Sequence, residues 1–194
     1  MNKIIIATTN SGKLREIKKI FSDLSQEILS LSDFPNFPEI IEDGNSFEEN
    51  AEKKARVVFE ITGIPALGED SGLVVEQLNG APGIYSARYS GKGATYESNN
   101  KKLLRELEIH PLPHLAKFVC VAVYYNGKNK IAKRGEITGQ IVNSPKGANG
   151  FGYDPIFIPD GFNITFAELN IEEKNRISHR AKAFGEMKKI LGSL

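Results

Sequence analysis

The chain opens on a continuous apolar run, Ile4-Ile5-Ile6-Ala7, which breaks at once into polar Thr8-Thr9-Asn10-Ser11-Gly12. A run without alternation is what a short strand buried on both faces requires, because every side chain must then meet a covering layer. Leu14, Ile17, Phe21 and Leu24 follow at helical spacing, with Asn10 or Ser11 placed to cap the first turn. The chain therefore starts as strand, phosphate-sized loop and helix, the opening of an α/β architecture.

The same signals continue along the chain. Ser46 and Glu49 stand at capping-box spacing ahead of an apolar stripe of Phe47, Ala51, Ala55, Val58 and Phe59, which leaves Asn50 and Lys54 together on another helix face. A short apolar segment, 64–68, delivers Glu69-Asp70-Ser71-Gly72 before a strand-like Leu73-Val74-Val75. A helix near 97–108 carries Leu103, Leu104 and Leu107. Lys117 to Tyr125 and Ile131 to about Ile141 read as strands around Asn126-Gly127, the strongest short hairpin signal. Segment 144–161 is dense in Gly and Pro, and a closing helix begins near Ser178. Parallel βα units early and a hairpin late predict a mixed, twisted α/β sheet flanked by helices. Its two lobes would share one sheet, with the loops in a central cleft between them, in a single domain over residues 1–194.

Composition excludes several function classes. Lys and Arg number 25 against 24 Asp and Glu, so no global field is available to hold a nucleic acid, and any phosphate must be gripped locally. One cysteine, Cys120, leaves no intramolecular disulfide and no Cys-rich zinc site, which favours a reducing compartment. The apolar stretch at the N-terminus is far shorter than the roughly 20 residues of a membrane span or the about 7–15 of a secretory core. The expectation is a cytoplasmic protein with no membrane partner.

Four motifs carry chemistry. Thr8 to Lys13 puts a Gly and a Lys at a helix N-terminus, where backbone N–H groups and the helix dipole favour phosphate; taken alone it is equally an ordinary capped turn. It is not a Walker A loop, since Leu14 follows the Lys. Glu69-Asp70 offers carboxylate oxygens of the kind Mg²⁺ takes, with strand geometry sending the two side chains to opposite faces. Gly150-Phe151-Gly152-Tyr153-Asp154-Pro155 lets backbone approach a flat ligand while Phe151 stacks on it. Ser178-His179-Arg180, with Lys174 ahead of it, places cationic donors at a helix N-terminus, a mismatch with the dipole that a ligand would resolve.

In this order, and with Ser46-Phe47-Glu48-Glu49-Asn50-Ala51, Lys54, Asp70-Ser71-Gly72-Leu73 and the stretch Gly80 to Tyr89, the motifs resemble those of the inosine triphosphate pyrophosphatase family. The resemblance runs from residue 8 to residue 180. It implies a two-lobed homodimer with a central nucleotide-binding cleft, which hydrolyses non-standard purine nucleoside triphosphates (ITP, dITP, XTP) to the monophosphate and pyrophosphate with Mg²⁺. On this carry-over Thr8, Thr9, Asn10, Ser11, Gly12, Lys13 and Lys54 hold the triphosphate. Asp70 binds the metal and helps activate water, and Ser71 contacts substrate. Phe151, Gly152, Tyr153, Asp154, Lys174, His179 and Arg180 read the base. Two positions depart from the family pattern: Thr9 stands where a Gly is frequent, and Ile41 stands where a metal-binding Glu is frequent, leaving Glu42 as the nearest substitute. A pyrophosphatase for another modified nucleotide and a non-catalytic nucleotide sensor are the alternative readings.

Overall fold

A computed structural model describes residues 3–193. The strands are β1 (Lys3–Ala7), β2 (Glu27–Ser30), β3 (Ala66–Val75), β4 (His114–Tyr125), β5 (Lys130–Ile141) and β6 (Phe157–Pro159), in the sheet order β2-β1-β3-β4-β5-β6. The helices are α1 (Ser11–Ile20), α2 (Phe47–Thr62), α3 (Tyr96–Leu107), α4 (Ile171–Ile177) and α5 (His179–Leu191). β1 pairs in parallel with β2 and β3, while β5 and β6 pair antiparallel, so the sheet is mixed and the class α/β as expected. Among the described residues no helix is long and apolar enough to cross a membrane.

The chain forms two compact units. The first comprises the segment ending at Asp70, then Cys120–Gly135, and the segment starting at Arg180; the second comprises Ser71–Val119 and Glu136–His179. In the first unit the β1 run is buried on both faces, and the two faces feed different cores. Ile4 and Ile6 pack with Ile17, Phe21, Phe184 and Met187 of α1, its C-cap and α5, whereas Ile5 and Ala7 pack with Val58 of α2 and Leu31. Full burial of residues such as Ile5 and Ile6 is worth about 1.5–3 kcal/mol each, which explains why the run tolerates no polar alternation. The second unit has its own core, built on Leu103 and Leu107 of α3, Phe118 of β4, Phe157 of β6 and Phe166.

Several elements differ from the sequence reading. Residues 66–75 form one ten-residue strand rather than an apolar segment and a separate strand, so Glu69 and Asp70 lie inside β3. Asn126-Gly127 sits in a four-residue turn, because the Asn126 side chain accepts from the N–H groups of Lys128 and Asn129 and widens it. Ser46 caps α2 through the Glu49 N–H, but Glu49 accepts from Asn45 rather than completing the reciprocal box. Lys174 belongs to a helix of its own, α4, capped by the Asn170–Glu173 box.

Candidate active site

In the first unit, helix starts and a strand bring the charged residues together. Asn10 caps α1 by accepting the Lys13 N–H at 3.0 Å, which orders the 8–13 loop. Left-handed backbone outside glycine occurs, among the described residues, only at Asn36 and Asn79; Thr9 therefore replaces the frequent Gly without strain. Lys13 Nζ reaches Glu69 at 2.8 Å from α1. The strand alternation expected for Glu69 and Asp70 is present: Glu69 meets Lys13 and Arg180, whereas Asp70 meets Asn50 and Lys54 of α2. Lys54 Nζ lies 3.1 Å from Glu42 and 3.8 Å from Asp70, so it gathers the two carboxylates assigned to metal.

Burial sets the electrostatics. Burial alone would raise the Glu69 carboxyl, but the charges of Lys13, Arg180 and Lys54 outweigh it and hold the group well below the ordinary carboxylate range. Asp70 goes the other way: burial pushes it up to about 6, against the pull of Lys54 and Lys13. One carboxylate is thus committed to its ion pairs, and its neighbour is poised near neutrality.

Arg180, a candidate for base reading, lies among buried carboxylates. It is 1% exposed, its Nη1 donates to Glu16 at 2.5 Å, and its Nε and Nη2 donate to the same Glu69 oxygen at 3.2 and 2.9 Å. A guanidinium engaged by two buried carboxylates is a bracing element for Glu69.

The second unit holds the aromatic motif. Gly150 has φ +75°, and a Cβ there would stand 2.1 Å from Asp154 Oδ2. Glycine therefore lets the loop fold back until the Phe151 N–H donates to that oxygen at 2.8 Å. Lys174 Nζ bonds the same oxygen at 2.5 Å and lies 4.8 Å over the Phe151 ring. Tyr153 is buried with its hydroxyl donating to Ser86 O, so it supports the loop from below. His179 stacks on Phe118 with ring centroids 4.8 Å apart. A cavity of about 460 Å³ borders the loop, lined by Tyr96, Asn100, Lys101, Leu104 and Phe151 among others.

The structure thus groups Thr8 to Lys13, Glu42, Lys54, Asp70 and Arg180 in the first unit. Ser71, Phe151 to Asp154, Lys174 and His179 belong to the second. The sequence reading assigned no role to Glu16 and left Glu69 and Asn50 without one. Helical spacing could have found Glu16, which falls three residues after Lys13 on the same side of α1 and is buried where its neighbour Arg15 is exposed.

A family model described as the Ham1 family matches residues 4–190. The dITP/XTP pyrophosphatase of Geobacter sulfurreducens is 52% identical over 99% of this chain and 98% of its own length. The structure of a HAM1 protein from Coxiella burnetii matches with a TM-score of 0.91 at 40% identity, covering 100% of each chain. The Staphylococcus aureus Ham1 protein matches with a TM-score of 0.88 at 38% identity, covering 99% of each.

Proposed function

The chain belongs to the Ham1 family, and from that premise we propose that it hydrolyses ITP, dITP and XTP to the nucleoside monophosphate and pyrophosphate. The observation that carries the proposal is the buried Asp70 carboxyl, held by Asn50 and Lys54 beside Glu42. Asp70 in its ionised form accepts the proton of the water that attacks the phosphorus next to the ribose. The bridging P–O bond breaks and pyrophosphate leaves. A base raised toward neutral pH is better matched to that transfer than an ordinary aspartate. Lys13 and Lys54 place positive charge against phosphoryl oxygens, where such reactions gain most of their stabilisation.

The donor set fits Mg²⁺. Glu42 and Asp70 supply hard oxygen ligands, and among the described residues no group of three His, Cys, Asp or Glu competes as a closed cage. Mg²⁺ takes one or two carboxylates and fills its remaining positions with phosphate and water. When bound, it would neutralise charge on the phosphoryl oxygens.

Base reading falls to Phe151 as stacking surface, with Lys174 and His179 as donors. Hypoxanthine and xanthine present an oxygen at C6, an acceptor, where adenine presents an amino donor; guanine shares that oxygen, so its rejection rests on its 2-amino group. A buried donor facing the adenine amino group is left unpaired, and sites built this way reject the wrong partner by about 10⁴–10⁵-fold. Arg180, through Glu69, keeps Lys13 in place.

The test is pyrophosphate release from ITP, XTP, dITP, GTP, ATP and dTTP with Mg²⁺ and with EDTA. Fast, EDTA-sensitive release from the first three and little from the others is the expected result. Orthophosphate as product would overturn the assigned cut. Turnover of a different nucleotide alone would favour another modified substrate, and tight binding without turnover would favour a sensor.

A further inference from the structure

We infer that Asn50 is a positioning residue that pre-sets the Glu42–Asp70 pair for a divalent cation before nucleotide arrives; this rests on the reading that those two carboxylates hold the cation. Asn50 lies on α2, 1% exposed, and both ends of its amide are used. Nδ2 donates to Asp70 Oδ2 at 3.1 Å, and Oδ1 accepts the Gly44 N–H at 2.8 Å. One short side chain thus ties the strand that carries Asp70 to the loop that carries Glu42.

Lys54, one turn further along α2, faces Glu42 and the other oxygen of Asp70. The two α2 residues divide the work. Lys54 supplies the charge that lets two carboxylates share a small volume, and a divalent cation must compete with that charge for the same oxygens. Asn50 is neutral, so it supplies direction without competing. Its amide leaves Asp70 ionisable while holding Oδ2 in one orientation, as outer partners of metal ligands do.

The backbone is shaped for this contact. At Gly68, two residues before Asp70, a Cβ would meet the Ala51 carbonyl oxygen at 1.9 Å and the Ala55 nitrogen at 2.8 Å. Only glycine lets α2 lie close enough to β3 for an asparagine to reach the aspartate. At Gly44 a Cβ would stand 2.7 Å from Asn50 Oδ1, so the loop side of the bridge also depends on a missing side chain.

The experiment is a titration of the free protein with Mn²⁺ alone, read by electron paramagnetic resonance, for wild type, Asn50→Ala and Gly44→Ala. Thermal melts establish folding, and ITP binding in EDTA is measured by equilibrium dialysis. The Mn²⁺ dissociation constant should rise about 10–100-fold in Asn50→Ala and less in Gly44→Ala, with metal-free ITP binding changed by no more than about twofold. Unchanged Mn²⁺ affinity in folded Asn50→Ala overturns the inference, and if that variant does not fold, Gly44→Ala decides by the same criterion. Wild type that takes up no Mn²⁺ alone also overturns it. Wild type that binds Mn²⁺ but hydrolyses none of the triphosphates overturns the functional reading instead.

Discussion

The two units solve the placement of polar groups in different ways. In the first, Lys13, Glu16, Lys54, Glu69, Asp70 and Arg180 all stand on helices or in the middle of a strand, and their positions follow from backbone ladders. In the second, Phe151 stands on a glycine-flanked loop that is tied down by side chains. Asp154 takes the Phe151 N–H, Asn100 donates to the Gly152 carbonyl, and Asn149 donates to that of Leu169. Charges must be placed in mutual register, because a buried charge displaced from its partner costs several kcal/mol. A stacking ring needs only an orientation, and a stapled loop supplies that. On the proposed reading, the chemical step belongs to the first unit and ring recognition to the second.

The largest test of this division is Asp70→Asn. Turnover of ITP should fall by about 10²–10⁴-fold with little change in KM, and near-normal turnover would remove the first unit's chemical role. Stability should move the opposite way. Because burial raises Asp70 from 3.8 to about 6, the folded protein holds this proton more tightly than the unfolded chain does. Ionising the group therefore costs stability as pH rises from about 4 to 6, and the full cost persists above that range. In EDTA at pH 8 the variant should exceed wild type by on the order of 2–3 kcal/mol in urea unfolding, and the two should converge towards pH 4. A variant less stable than wild type at pH 8 would contradict that account.

Glu69→Gln comes next. Removing the carboxylate leaves buried Arg180 its pair with Glu16 and takes the ion pair from half-buried Lys13, and a loss of about 3–5 kcal/mol in urea unfolding is expected. A loss below about 1 kcal/mol would mean that the network behaves as a solvated surface pair does. Phe151→Leu in the second unit should give the smallest effect. Loss of ring stacking worth about 0.5–1.5 kcal/mol should raise KM for ITP by up to about tenfold and spare kcat. A fall in kcat at constant KM would place the loop in the chemical step and break the division.

The elements that local interactions specify were legible in the chain. The Ile4–Ala7 run marked β1, the Asn10 and Ser46 caps marked α1 and α2, and the leucines of 103–107 marked α3. Elements lacking strong local signals were missed. β2 has four residues and gains its pairing from β1, and α4 has seven, too few for an apolar period to register. The continuity of β3 was hidden because two carboxylates and a glycine interrupt its apolar pattern, and only cations from α1, α2 and α5 make that interruption tolerable.

The candidate site divides along the same line. Residue types and their order were enough to mark a capped loop ahead of α1, an acidic strand and a glycine-flanked aromatic ring as candidates, because each is written in a few adjacent positions. Partnership was not. Arg180 binds Glu69 across 111 positions and Glu16 across 164, and Asn50 binds Asp70 across 20. The sequence by itself determined the class of fold, the family and the inventory of candidate groups. The tertiary structure alone decided that Arg180 bonds Glu69, that burial raises Asp70 while neighbouring cations lower Glu69, and that Asn50 ties Asp70 to the loop that carries Glu42. Charge pairing and desolvation depend on what lies within a few ångströms in space, and spacing along the chain does not encode that.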